Sequence, residues 1–232
     1  MMQRMEVLNG QTYVEKYLKV KSILVSQPKP ERSPYYELEK KYGLQIDWRP
    51  FIHVEPVNIK DYRRQRIPPE EFGAVILTSK NAVDHFFRTC EETRVKMSED
   101  TKYFCLTEAV ANYLQKFIVY RKRKVFSGNR TILDLKSYLM KHRDKEKFLL
   151  PCSNLGGKEV TKFLQDNKFN FQESVMYQTV ASDLSDLKDI YYDVIVFFSP
   201  MEIQALFENF PDFQQKNTRI AVFGKTTWEA VE

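Results

Sequence analysis

Residues 75–87 read VILTSKNAVDHFF, and residues 195–207 read IVFFSPMEIQALF. Each is an apolar stretch of strand length that runs into a serine, Ser79 or Ser199, and then takes up apolar residues at helical spacing. A second pair follows at nearly the same distance, Tyr103-Phe104-Cys105-Leu106-Thr107 against Ala221-Val222-Phe223-Gly224-Lys225. A third, weaker pair sets Ile23-Leu24-Val25-Ser26-Gln27 against Phe148-Leu149-Leu150-Pro151-Cys152. An α/β unit written twice implies two similar lobes with a cleft between them, a favoured place for a small-molecule site.

Outward from these stretches, apolar runs alternate with amphipathic segments of helix length, the pattern of parallel sheets with crossover helices. Strands are expected at residues 21–26, 46–54, 74–77, 103–106, 124–126, 148–150, 171–179, 194–198 and 219–223, and helices at 81–89, 108–117, 132–142 and 158–167. Ser33-Pro34 opens another helix, with a capping side chain followed by proline, and Gly43 closes it. The segment through Pro56, Pro68 and Pro69 is too rich in proline for a central strand and reads as a linker. The first strand and helix find a sheet only by joining the C-terminal copy. The expected fold is therefore α/β, with two similar lobes, each a parallel sheet flanked by helices in the flavodoxin-like manner. One lobe is discontinuous (residues 1–52 and 181–232), the other inserted (57–174), and 53–56 with 175–180 form a two-stranded linker.

Bulk properties narrow the function classes. In 232 residues, 43% of them apolar, there is material for one large or two small cores, and no apolar run reaches the length of a membrane span. The N-terminus has no apolar segment framed by a cleavage site, so a cytoplasmic protein is expected. Cys90, Cys105 and Cys152 are odd in number and far apart, against a disulfide framework or a zinc site. A net charge of +5 suits an anionic partner. The basic runs Arg121-Lys122-Arg123-Lys124 and Arg63-Arg64 with Arg66 read as solvated turns, without the interleaved aromatics of a nucleic-acid platform.

Ligands of open parallel sheets sit beyond the carboxyl ends of the strands, which draws attention to the turns. Thr78-Ser79-Lys80-Asn81 and Ser199-Pro200-Met201-Glu202 are such turns, and Ser199 with Glu202 has the spacing of a capping box. Thr226 with Glu229 and Thr131 with Asp134 have it too. Capping does not exclude anion binding, because the same geometry aims amides and hydroxyls at the open end of the sheet. Pro151-Cys152-Ser153-Asn154-Leu155-Gly156-Gly157-Lys158 is a further turn; it has neither G-x-G-x-x-G nor the P-loop ending, so it reads as a flexible turn or a carboxylate site. His53, His85 and His142 are scattered, with no H-E-x-x-H and no G-x-S-x-G, and His85 reads as a helix-surface residue rather than a base.

Together the duplicated turns, Gly224-Lys225-Thr226-Thr227, Leu149-Leu150-Pro151 with its glycine turn, and the strand Val175-Met176-Tyr177-Gln178-Thr179 resemble uroporphyrinogen-III synthase, from about Lys21 to the C-terminus. The resemblance implies an enzyme without metal or organic cofactor that closes the linear tetrapyrrole hydroxymethylbilane, a polycarboxylate, into uroporphyrinogen III with loss of water and inversion of the last ring. It implies Tyr177 as the residue assisting departure of the hydroxyl. Thr78, Ser79, Lys80, Thr107, Ser153, Ser199, Thr226 and Thr227 are then expected to bind the substrate. A monomer that contacts neither membrane nor nucleic acid is expected. The chain departs from the family at Leu106-Thr107-Glu108-Ala109, where a Gly-x-x-Thr turn is usual, and at Gln27, where an arginine is common and Lys29 stands nearby. The resemblance also implies a last strand and helix, which are either absent here or lie beyond Glu232. Two other classes compatible with the residues are a non-catalytic binding module for anionic small molecules and a basic RNA-associated protein.

Overall fold

A computed structural model describes residues 3–8, 11–16 and 19–231. It divides into two compact units, Met1–His53 with Val180–Glu232, and Val54–Thr179. In chain order the first unit begins with an antiparallel hairpin, β1 (Gln3–Leu8) and β2 (Gln11–Lys16), then β3 (Ser22–Val25), α1 (Pro34–Tyr42) and β4 (Gln45–Trp48). The chain enters the second unit along β5 (Ile52–Pro56) and continues with α2 (Ile59–Arg64), β6 (Ala74–Leu77), α3 (Lys80–Thr93), β7 (Lys102–Cys105) and α4 (Glu108–Leu114). There follow β8 (Val125–Ser127), α5 (Lys136–His142), β9 (Phe148–Ser153), α6 (Lys158–Asp166) and β10 (Phe171–Ala181), which leads back. The first unit is completed by β11 (Val194–Phe197), α7 (Pro200–Asn209), β12 (Arg219–Val222) and α8 (Lys225–Glu229).

The second unit is built on a six-stranded sheet of order β5-β10-β9-β6-β7-β8. From β10 through β8 the pairings are parallel. All four residues of β6 are fully buried, because helices cover both faces. Alternation sorts them: Val75 and Leu77 join Val83, Phe86, Val110 and Leu114 of α3 and α4, while Ala74 and Ile76 join Leu139, Val160 and Leu164 of α5 and α6. The chain runs outward from β6 to β7 to β8 and then returns to the other side of β6 as β9, so the connection reverses between β6 and β9.

The first unit repeats this on a smaller scale, with a parallel sheet of order β12-β11-β3-β4. Its two halves are tied where β3 and β11 begin. One carboxylate oxygen of Asp193 accepts from the Lys21 and Ser22 amides (2.7 and 3.0 Å) and from the Ser22 hydroxyl, whose oxygen accepts the Asp193 amide in turn (3.1 Å). These hydrogen bonds hold the Asp193 carboxyl below the usual carboxylate range. Here the connection reverses between β3 and β11.

Ser33 caps α1 as expected, accepting the Tyr35 amide at 3.2 Å, and Gly43 closes it in the left-handed region. Three expectations need correction. The stretch 46–54 is two strands rather than one, because Pro50 offers no amide for a ladder and the chain turns there. The proline-rich linker holds a helix, α2, capped by Asn58 and buried through Tyr62, because its prolines cluster at 56, 68 and 69 and leave the interval free. The segment 132–142 begins as a 3-10 turn, Ile132–Leu135, before becoming α5. The two strands that join the units, β5 and β10, are neighbours in the six-stranded sheet.

Phe104 is fully buried among Phe126, Phe148 and His142, with ring centroids 4.9, 5.6 and 5.7 Å away. Phe104→Ala is expected to lower unfolding stability by about 3–5 kcal/mol in urea titration, whereas Leu133→Ala, at an exposed position, changes it by less than about 0.5 kcal/mol.

Candidate functional site

The point where the connections reverse in an open parallel sheet leaves a crevice outside the carboxyl ends of two neighbouring strands. In the second unit these strands are β6, followed by Thr78 and Ser79, and β9, which ends in Ser153. Ser79 is the N-cap of α3, its Oγ accepting the Ala82 amide at 3.1 Å. Lys80 follows as the first residue of that helix, exposed, with Nζ 5.6 Å from the centroid of the Tyr113 ring. Thr107 caps α4 on the next strand end, accepting the Val110 amide at 3.3 Å, and the Ser153 hydroxyl oxygen accepts the Leu155 amide at 3.2 Å.

Tyr177 is brought to this edge by an irregularity in β10. Val175 pairs with Cys152, but the next paired residue is Tyr177, opposite Ser153, so β10 carries one residue more than β9. In a regular strand Met176 and Tyr177 would point to opposite faces; past the bulge both pack in the cluster on the α3 and α4 side. Three groups secure the bulged backbone. Gln65 donates to the Val175 carbonyl at 2.7 Å and accepts its amide at 3.0 Å. Arg88 of α3 donates through Nη2 to the Met176 and Val57 carbonyls, each at 3.2 Å. Asn154 bonds the backbone of Thr179, accepting its amide at 2.9 Å.

The Tyr177 side chain is buried, and its ring lies against the imidazole of His85, centroids 5.0 Å apart and planes 17° from parallel. Burial raises the phenol above its ordinary value, and the hydroxyls of Ser79 and Thr78 act in the opposite sense without reversing it. Tyr177 therefore carries its proton at neutral pH. His85 is pushed below its ordinary value, chiefly by burial and then by the Arg88 charge, with Asp84 opposing. The expectation for His85 is thus corrected: it is half-buried and faces Tyr177. Helical periodicity placed it beside the apolar stripe of α3, but the bulge that carries Tyr177 to it leaves no trace in that pattern.

In the first unit, Ser199 follows β11 and Thr227 follows β12. Ser199 and Glu202 approach each other's backbone as a capping box, with the Glu202 arm the one at hydrogen-bond distance. Its buried carboxylate accepts the Phe198 amide (2.6 Å), the Ser199 amide (3.2 Å) and the Ser26 hydroxyl (2.7 Å), while Ser199 Oγ has no partner among the described residues. The expected box of Thr226 with Glu229 does not form. Gly224, at φ 93°, takes the N-cap of α8, leaving Thr226 exposed inside the helix and Glu229 3.6 Å from Lys225. Thr227 is buried.

Thr78, Ser79, Ser153 and Tyr177 thus gather on one strand edge of the second unit, with Lys80 and Thr107 beside them; Ser199 and Thr227 share the corresponding edge of the first. Gln65, His85, Arg88 and Asn154 are the residues that sequence reasoning missed. Burial raises all three cysteines, Cys90 and Cys105 to about 12 and Cys152 to about 11, so none is a thiolate nucleophile at neutral pH. Among the described residues no group of three or more His, Cys, Asp or Glu side chains could hold a metal ion, and no helix is long and apolar enough to cross a membrane.

Residues 33–232 match the family profile described as uroporphyrinogen-III synthase HemD. The chain belongs to the uroporphyrinogen-III synthase family. A curated relative, the uroporphyrinogen-III synthase of Chlorobaculum parvum (strain DSM 263 / NCIMB 8327), is 23% identical over 229 residues, covering 92% of this chain and 89% of that protein. Among solved structures, the uroporphyrinogen-III synthetase of Helicobacter pylori 26695 aligns with a TM-score of 0.56 at 17% identity, over 89% of this chain and 85% of that one. A mutant uroporphyrinogen III synthase of the extremely thermophilic bacterium Thermus thermophilus aligns with a TM-score of 0.53 at 14% identity, over 91% and 88%. These similarities agree with the α/β fold of parallel sheets flanked by helices and with a family of lyases in tetrapyrrole biosynthesis.

The state of His85 has a consequence for stability. Its folded value lies below the unfolded one, so it contributes no pH dependence while neutral in both states. As pH falls through about 6.5, the unfolded chain takes up the proton first, and stability is lost until the folded value is reached. His85→Phe is expected to lose less stability than the parent between pH 7 and pH 5 in urea titrations.

Proposed function

We propose that this chain cyclises hydroxymethylbilane to uroporphyrinogen III, expelling water and inverting the last ring. The observation that carries the reading is Tyr177: a protonated phenol, buried with its ring against His85, at the strand edge that also holds Thr78 and Ser79 and where parallel sheets bind ligands. A neutral phenol held in place can give a hydrogen bond or a proton to a departing hydroxyl. Inverting the last ring breaks its bond to the neighbouring methylene bridge as well as the C–OH bond and forms two new carbon–carbon bonds, one to the former hydroxymethyl carbon and one to that bridge; the proton that leaves in the water is balanced by the one lost from the previously unsubstituted ring carbon.

Around this phenol, Thr78, Ser79, Lys80, Thr107 and Ser153 offer hydroxyls, amides and one cation suited to carboxylates, and in the first unit Ser199, Thr226 and Thr227 are read in the same role. Nucleic acid is a poor alternative, since Arg121 and Lys124 of the basic run pair with Glu99 (3.2 Å) and Asp100 (2.6 Å). Three buried free thiols suit a reducing compartment, and we read the protein as cytoplasmic.

Incubation with hydroxymethylbilane followed by separation of product isomers tests the reading. The expected product is the type III isomer; the type I isomer alone, as forms without an enzyme, would overturn it. Tyr177→Phe is expected to lower kcat by about a hundredfold, in the range of a lost proton donor, with product affinity changed far less.

A further inference from the structure

We propose that His85 is a positioning residue for Tyr177: its imidazole covers one face of the phenol ring and so fixes where the hydroxyl lies relative to Thr78 and Ser79. The inference rests on the reading of Tyr177 given above and adds a residue to it.

A regular ladder orients a side chain through the pleat; Tyr177 is paired with Ser153, but the extra residue just before it in β10 interrupts that pleat. Helix α3 supplies the missing restraint. His85 and Arg88, three residues apart on one helix face, reach the bulge together. Arg88 holds the Met176 carbonyl at 3.2 Å, and His85 meets the neighbouring ring at a centroid distance of 5.0 Å with planes 17° from parallel. The N-cap of the same helix is Ser79, whose hydroxyl acts on the Tyr177 phenol, so one helix carries both the ring that covers Tyr177 and a hydroxyl near its own.

The contact is through the ring face, not through a proton. Nδ1 of His85 is buried and has no hydrogen-bond partner among the described residues, which argues against a relay through that nitrogen. The charged groups around the imidazole are Asp84 and Arg88, and burial keeps it neutral at physiological pH, so the contact is a pair of uncharged rings. A flat apolar ring should therefore serve in place of imidazole, and a small side chain should not.

The test compares steady-state kinetics on hydroxymethylbilane for the parent, His85→Ala, His85→Phe, Tyr177→Phe and the double variant His85→Ala/Tyr177→Phe. His85→Ala is expected to lower kcat about tenfold with KM within about twofold, the scale set by loss of one aromatic contact. His85→Phe should stay within about twofold of the parent, and His85→Ala should add nothing once the phenol hydroxyl is gone. Parent-like turnover of His85→Ala, a His85→Phe as slow as His85→Ala, or multiplying effects in the double variant would each overturn the proposal. Parent-like turnover of Tyr177→Phe would instead overturn the reading of Tyr177 itself. Should His85→Ala fail to fold, as judged by circular dichroism, His85→Leu takes its place with the same expectation, since it fills volume without a flat ring.

Discussion

A parallel strand covered on both faces has no place along its length for a polar side chain, and β6 obeys this without exception: Ala74, Val75, Ile76 and Leu77 are all fully buried. Polarity is therefore displaced to the strand ends. At the carboxyl end the chain must turn into a helix, whose first amides lack intrahelical partners and attract a hydroxyl or carboxylate. Ser79 after β6 and Thr107 after β7 meet that need. The candidate site is thus a by-product of building a buried sheet. Hydroxyls required to cap helices stand together because their strands are neighbours, and the reversal of connection between β6 and β9 leaves the edge open there.

The first unit shows that the same frame can be filled differently. After β11 a carboxylate stands at the helix start instead: Glu202 accepts the amides of Phe198 and Ser199, just before the first turn, and also takes the Ser26 hydroxyl from the neighbouring strand. The Glu202 side chain already engages backbone amides at that helix start and leaves the Ser199 hydroxyl to a ligand, whereas at Ser79 and Thr107 the hydroxyl itself is the cap. The duplication legible in the sequence is accordingly a duplication of architecture rather than of chemistry. Attraction for a polyacid at a helix start falls more naturally to the second unit, where Lys80 also adds an exposed cation.

Much of the architecture was legible because burial writes itself into short-range patterns. Four consecutive apolar residues followed by a cap signal marked β6 and β11, and Ser33-Pro34 with Gly43 bracketed α1 to the residue. Local signals misled where a stronger neighbouring rule competed. Prolines at 56, 68 and 69 obscured the Asn58 cap of α2, and Gly224, able to adopt positive φ, displaced Thr226 as the start of α8. Within the candidate site, Thr78, Ser79 and Ser153 were legible as strand ends, and Tyr177 through the family resemblance. His85 was not, because its significance depends on one unpaired residue in a strand far along the chain, and register irregularities leave no periodic mark in either segment.

The two rings that meet at Tyr177, phenol and imidazole, are both uncharged although Arg88 and Asp84 stand beside them. Burial keeps the phenol protonated and the imidazole neutral, and the buried thiols of the same unit share that fate. Ionising any one of these buried groups without a partner would be opposed by desolvation, so Tyr177 serves best as a neutral donor that keeps its proton or regains it within the step. Hydrogen bonds from neutral donors in fixed positions are a different matter: they strengthen as the dielectric falls and need no reorganisation when charge develops on a bound molecule. A reaction whose difficulty lies in bringing the two ends of a flexible molecule together draws most from such an arrangement, because its barrier is largely one of geometry. That requirement explains why restraint of the phenol, through the bulge, Arg88 and His85, matters as much as the acidity of its proton.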